Sequence, residues 1–322
     1  KIMSKRTDLA TTVTIASTYS GEFSGRYISA ALLTAKTIDS GGVTVLPNIK
    51  YKQVIQKVET GDLIAAGSCD FTANSSVTLS EVILEPLEFQ VNLQLCKSDF
   101  INTWDAISMG YSAFNNNGLP TSFSDYLIGY VAAKVSGQNE INLWTGNLGG
   151  AQAGEYDGLE TLAAADGTVI PGPTHAAITS LNVIEKLQGI VDVIPNAVYG
   201  KEDLKLYVST KVQKAYITSL GGFAVQATSN AGVDNKGTTW YAGQDLSFGG
   251  IPIFVAPGMT DDTIIAAETS NLFFGLGLLN DYNEVRTLDM TPMDGSQNVR
   301  VIMRFTAAAQ IGIGSNVVYY AA

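Results

Sequence analysis

The chain has 322 residues, room for one large domain or two ordinary ones, and is 46% hydrophobic but only 15% charged, against a globular average of roughly 25% charged. So weakly charged an exterior is usually covered by something, and partner subunits are the first expectation. Nineteen Lys and Arg against thirty Asp and Glu leave a net charge of −11, which argues against a phosphate-gripping surface but not against enclosing nucleic acid, since a container need not hold its contents tightly.

The longest apolar run, 272–279, falls far short of the ~20 residues of a membrane-spanning helix. Residues 7–12, after Lys1, Lys5 and Arg6, have no apolar signal-peptide core. Cys69, Cys96 and the lone His175 are too few for a zinc site of about four ligands. The two cysteines could form one disulfide, but Cys96 ends an apolar strand pattern where a buried thiol is the commoner state, which points to a reducing cytoplasm. The chain starts at Lys1 rather than Met, as a fragment would, or a chain cleaved ahead of Lys1.

In chain order, 1–18 is polar, Thr/Ser-rich and aperiodic, which predicts an extended arm, and 27–38 is mildly helical. Gly41 and Gly42 open a β-rich stretch: a strand over 43–58, a turn at 59–62 and a return from Leu63, with a longer loop as the alternative. Leu87, Phe89, Val91, Leu93 and Leu95 then alternate with Glu88, Gln90, Asn92, Gln94 and Cys96, the period of a half-buried strand.

A long helix follows over about 121–144, with Thr121 or Ser122 as N-cap and an apolar stripe of Phe123, Leu127, Tyr130, Val131 and Val135. After Pro171-Gly172-Pro173 the pattern predicts a helix over 174–187, a strand over 204–209, a helix over 210–220, a polar loop over 229–243, and strands over 246–248 and 251–256. Alternation from Val299 to Ile313 gives a last strand, whose small residues Ala307 to Ala309 imply close packing against another element.

Reaction chemistry is sparse. A serine nucleophile would need His175 as base, and no Gly-x-Ser-x-Gly elbow exists. Glu155, Asp157, Glu160, Asp261 and Asp262 are glycosidase candidates by residue type alone, and Asp261-Asp262 reads more simply as a turn or cap pair. Gly275-Leu276-Gly277 lacks the third glycine of a dinucleotide fingerprint, and Asp234-Asn235-Lys236-Gly237 does not continue into a calcium loop. No catalytic residue, cofactor site or metal site is assigned.

The order of the elements, together with several local phrases, resembles tailed-phage major capsid proteins of the Hong Kong 97 fold. The phrases are 89–97 (FQVNLQLCK), Trp144-Thr145-Gly146, Tyr156-Asp157-Gly158-Leu159, 204–209 (LKLYVS), 248–253 (FGGIPI) and 271–275 (NLFFG). The resemblance implies an α+β fold: an N-terminal arm (1–37), an E-loop (38–86), a P domain built from 87–172 with its spine helix and from the C-terminal sheet 260–322, and an A domain (173–259). It implies self-assembly as hexamers and pentamers into an icosahedral shell around double-stranded DNA, with no sequence-specific DNA contact, no membrane, and room for portal, scaffold or decoration proteins.

On that reading the assembly-interface residues are Lys50, Lys52, Lys57, Glu59 and Asp62 on the E-loop, Asp234, Asn235 and Lys236 near the capsomer axis, and Met293 and Asp294 where capsomers meet. Such a protein would be assembled in the host cytoplasm and reside in the virion. An encapsulin-like compartment shares the fold and is the nearer alternative; a β-rich carbohydrate-binding or adhesive protein is the more distant one.

Overall fold

The computed structural model describes residues 36–49, 51–60, 64, 77–96, 121–150, 154–220, 246–277 and 286–321, with the backbone alone for 59, 60, 121–128 and 286. These residues belong to two compact units. The predicted arm over 1–18, the turn residues 61–63, Lys50, Cys69 and the loop 229–243 lie outside the described residues.

The larger unit takes Leu33–Leu87, Ser136–Leu279 and Thr306–Ala322. It holds a short helix α1 (Lys36–Asp39) and strands β1 (Thr44–Leu46), β2 (Gln53–Thr60) and β3 (Val77–Leu84). The C-terminal part of the long helix α2 (Thr121–Thr145), α3 (Leu159–Ala165) and β5 (Ile170–Pro171) follow. Next come α4 (Val183–Val193), β6 (Leu204–Val208), α5 (Thr210–Leu220), β7 (Ser247–Phe248), β8 (Ile251–Val255), β9 (Ile264–Glu268) and β10 (Leu272–Leu276).

A six-stranded sheet in the order β5-β13-β9-β6-β8-β7, completed by β13 (Val318–Tyr320), forms its centre. This sheet takes strands from both sides of residue 259. Leu204, Leu206 and Val208 of β6, Ile264 and Ala266 of β9, and Val318 and Tyr320 of β13 pack with Val183, Leu187 and Ile190 of α4 and Val212 and Tyr216 of α5. The spacing of three and four along each helix is what presents one apolar stripe to the sheet. Each fully buried aliphatic side chain there contributes about 1.5–3 kcal/mol over an exposed one.

The smaller unit comprises the described residues within Glu88–Val135 and Asn280–Phe305. The N-terminal half of β12 (Asn298–Ile311) pairs with β11 (Arg286–Asp289) and with β4 (Leu87–Cys96), and a single-turn helix α6 (Thr291–Asp294) joins β11 to β12. The alternation read in both long strands is present: Val299, Val301 and Met303 are buried while Arg300 and Arg304 are exposed, and Phe89 stacks on Phe305 at 5.5 Å. Val91 and Leu93 are half-buried and Leu95 is buried. In the larger unit the other half of β12 pairs with β10, Ala308 standing opposite Gly275. A Cβ on Gly275 would run into Leu84 and Ile49, the close approach that the alanine run implies.

Three expectations are corrected. The strand expected over 43–58 is two strands, because Pro47 supplies no N–H and Asn48 takes a left-handed φ of 64°. The turn expected at 59–62 does not begin at Glu59: Glu59 and Thr60 pair with Thr78 and Val77, and the return expected from Leu63 lies outside the described residues. The helix expected over 174–187 is Val183–Val193. The Tyr320 hydroxyl accepts the Ala176 N–H and donates to the Ala176 carbonyl, Asp262 accepts the Ile178 N–H, and Asn182 accepts the Thr179 N–H. Those tertiary bonds hold 174–182 in an irregular path until the helix starts.

Candidate assembly surfaces

The β2–β3 ribbon is an antiparallel ladder pairing Gln53 through Thr60 with Leu84 through Val77. Directly opposed residues share a face, so the register sorts the side chains. One face carries Ile55, Val82 and Leu84, and at its base Leu84 packs with Ile49 and Ala308. The other carries the pairs Val54–Ile83 and Val58–Leu79 and the end residue Val77, and all five are exposed, Val58 by 61% and Leu79 by 71%. The Gln310 amide also donates to the Ile83 carbonyl at 3.1 Å. The ribbon is thus fixed at its base and presents a greasy face.

Of the residues expected on this ribbon, Lys52 pairs with Glu85 at 2.7 Å, with both side chains about half exposed. Lys57 is half-buried opposite Ser80, and Glu59 stands opposite Thr78 in the backbone register. Lys50, Asp62, Asp234, Asn235 and Lys236 lie outside the described residues.

Met293 and Asp294 form the exposed end of α6. Asp289 caps this turn by accepting from the Thr291 N–H and O–H, Gly295 leaves it at a φ of 70°, and Met293 is 74% exposed. Hydrogen bonding from Ser296, helped by the charge of Arg300, holds the Asp294 carboxyl below its ordinary value.

Four of the five carboxylates singled out by residue type serve backbone groups. Glu155 accepts the Asn147 N–H, Asp157 accepts the Leu148 N–H, and buried Glu160 accepts the Thr260 N–H at 2.9 Å. Burial raises the Glu160 carboxyl above the ordinary range. Asp262, at a φ of 64°, accepts the Ile178 N–H and pairs with Lys211 at 2.6 Å. His175 stacks on Tyr320 at 5.4 Å. Among the described residues no group of three or more His, Cys, Asp or Glu side chains could hold a metal ion, and no helix is long and apolar enough to cross a membrane.

The end of α2 gives two of the local phrases, 144–146 and 156–159, a physical reason. A Cβ on Gly146 would overlap the Tyr156 and Asn142 carbonyls, one on Gly158 would overlap the Trp144 carbonyl, and one on Gly258 would overlap the main chain of Glu140 and Ile141. The Gly158 N–H donates to the Gly146 carbonyl at 2.8 Å. Three glycines therefore bring other backbone segments against the last turns of the helix.

Next to them is a buried group that residue-type reasoning missed. Glu140 is fully buried and accepts the Thr37 N–H at 3.0 Å and the Thr37 O–H at 2.5 Å, while the Trp144 indole N–H donates to the Thr37 hydroxyl oxygen at 3.0 Å. Burial raises its carboxyl above the ordinary value, and the Thr37 bonds pull it part of the way back. A signal existed, since Glu140 stands four residues before Trp144 and three before Leu143, on the stripe that both bury.

No family model matches the chain, and no curated protein sequence matches it. Its fold does have solved neighbours. It is similar to the capsid of an empty GTA particle, with 11% identity over 91% of this chain and 98% of that one and a TM-score of 0.61. A chain from Gordonia phage Cozz is 12% identical over 92% of this chain and 90% of its own, with a TM-score of 0.59. The capsid of Myoviridae phage XM1 is 12% identical over 92% and 94%, with a TM-score of 0.56. At such identities the likeness is one of fold: the chain has the Hong Kong 97-like capsid fold, mixed helix and sheet.

Proposed function

We propose that this chain is the major capsid protein of a tailed-phage-type particle, assembling as hexamers and pentamers into an icosahedral shell around double-stranded DNA. Its work is structural rather than catalytic, and its place is the virion capsid. The observation that carries this is the exposed apolar face of the β2–β3 ribbon, in a chain whose fold neighbours are capsid subunits. A two-stranded ribbon is marginal in water, and five exposed aliphatic side chains add a cost that a sister subunit removes by covering them. Each contact of this kind is modest, but a subunit held by several neighbours at once sums them into a stable shell.

In this reading the ribbon is the E-loop of 38–86, the long helix and the strands of 87–172 and 260–322 make the P domain, and 173–259 makes the A domain. Lys52, Lys57 and the α6 residues Met293 and Asp294 stand at subunit contacts. Portal, scaffold and decoration proteins are the further partners that such a shell would take.

The test is Val58→Asp combined with Leu79→Asp. Both positions are exposed, so the variant is expected to keep the wild-type thermal midpoint within a few degrees. It is also expected to give no particles by size-exclusion chromatography at concentrations where the wild type gives them, since covering would now bury two unpaired charges. Normal particles from the doubly charged ribbon would contradict the proposal.

A further inference from the structure

The chain has five arginines, and three of them stand within 286–304. Their setting is the sheet of the smaller unit. Arg300 and Arg304 are exposed on the face of β12 opposite to Val299, Val301 and Met303. The ladder to β11 puts Leu288 opposite Arg300 and Arg286 opposite Ile302 in the backbone register. On the other side, the Phe89–Phe305 stacking and the Arg300–Gln94 bond fit one antiparallel register, which brings Gln90 across from Arg304 and Asn92 across from Ile302.

The exposed row of β4 is Glu88, Gln90, Asn92 and Gln94, mostly neutral amides. Among the described residues neither Arg300 nor Arg304 has an ion pair. Arg300 donates to the Gln94 side-chain oxygen at 3.0 Å, and Asp294, close enough to feel its charge, is turned to Ser296. A pocket of about 440 Å³ opens beside it, walled by Asn92, Leu93, Gln94, Arg300, Val301 and Ile302.

The geometry points to this face as a docking site for an acidic surface of a second copy of the chain, with a carboxylate seated in the pocket against Arg300 and a second one over Arg304. The inference rests on the assembly reading above and names a contact within it. Charge complementarity selects the occupant: a chain with thirty acidic and nineteen basic residues has more carboxylates than cations to offer, and three of its five arginines lie in the strands of this sheet. Guanidinium suits the task, because its planar fork meets a carboxylate through two parallel bonds, and the half-buried Ile302 is the apolar side chain that shares the face with it. Nucleic acid is disfavoured by the same residues, since phosphate binding draws on a track of many cationic contacts and the β4 row offers amides.

The experiment is assembly of the full chain carrying Arg300→Ala with Arg304→Ala, beside Arg300→Lys with Arg304→Lys. Sedimentation velocity would be run at 0.05 and 0.5 M salt, with folding checked by circular dichroism. The alanine pair is expected to fold and to need at least tenfold more protein to form particles. The lysine pair should recover part of that loss, and 0.5 M salt should weaken wild-type assembly in the same direction.

Folded alanine variants that assemble at the wild-type concentration would overturn the docking site and leave the capsid reading standing. The docking site would also fall if wild-type assembly were indifferent to salt, or if the substitutions spared particles and abolished binding of double-stranded DNA. Wild-type chain that forms no particles under any of these conditions would instead remove the capsid reading itself.

Discussion

Gly258→Ala should destabilise the protein by about 3 kcal/mol or more, at the upper end of what overpacking costs. The added methyl would meet the Glu140 carbonyl and the Ile141 Cα. These are main-chain atoms of a hydrogen-bonded helix and cannot swing aside as a side-chain tip would. Relief requires either α2 or the 256–260 turn to move, and that turn is held by the Met259 N–H on the Ala256 carbonyl and by the Thr260 N–H on Glu160. Gly129→Ala in the same helix is the control of opposite sign: among the described residues nothing beyond the helix's own backbone lies within 4 Å of its added Cβ, and alanine in a helix interior is favoured over glycine by up to about 1 kcal/mol. Chemical denaturation of the two variants checks both signs. A Gly258→Ala protein as stable as the wild type would mean that the helix end is not packed backbone to backbone.

Thr37→Val should cost about 2–4 kcal/mol at neutral pH, because it removes the hydroxyl that donates to Glu140 and accepts from Trp144. That leaves a buried carboxylate with the Thr37 N–H and the Trp144 indole alone, and takes from the indole its hydroxyl acceptor. The cost should depend on pH with a definite sign. Burial already lifts the folded-state value of Glu140 above its ordinary 4.5, so the folded state holds more protons than the unfolded one between those two values. The Glu140 contribution to stability is therefore greatest near and below pH 4.5 and is lost as pH rises through the folded value.

Losing the Thr37 hydroxyl donor raises the folded value further, so the variant should decline over a wider pH window. Glu160 contributes a slope of the same sign, but it is common to both proteins and cancels in their difference. Thermal midpoints of unassembled wild type and Thr37→Val, compared at pH 5 and pH 8, should diverge at the higher pH. An equal gap at both would show that Glu140 does not ionise in the folded state.

Elements whose burial is one-sided were legible in the sequence. β4 and β12 alternate because one face is packed and the other is not, and the helix Thr210–Leu220 and the strand Leu204–Val208 follow from local pattern and position. What misled was long-range bonding. Residues 174–182 have helical composition but spend their backbone groups on Tyr320 and Asp262, both distant in the chain. Glu59-Thr60-Gly61-Asp62 has turn composition, yet the ladder keeps Glu59 and Thr60 paired with Thr78 and Val77.

Tyr130, expected on the buried stripe of the long helix, is 41% exposed, while Val131 is buried. Toward the end of the helix the buried stripe passes through Gly137, Glu140, Leu143 and Trp144. A charged residue there reads as solvent-facing unless its partner is known, and Thr37 is 103 residues away. The candidate surfaces were readable only as charge and composition. Which face of the ribbon stays greasy depends on its register, and the arginine face depends on strands β4, β11 and β12 meeting, which no local pattern specifies.

Electron microscopy of the purified chain is the most direct test of the central claim, that its exposed ribbon and sheet faces are completed by sister copies. Closed megadalton shells with five- and six-fold capsomers, appearing above a threshold concentration, are the predicted result. A 34.1 kDa species that stays monomeric at every concentration, with the Val58–Leu79 face exposed to water, would contradict it.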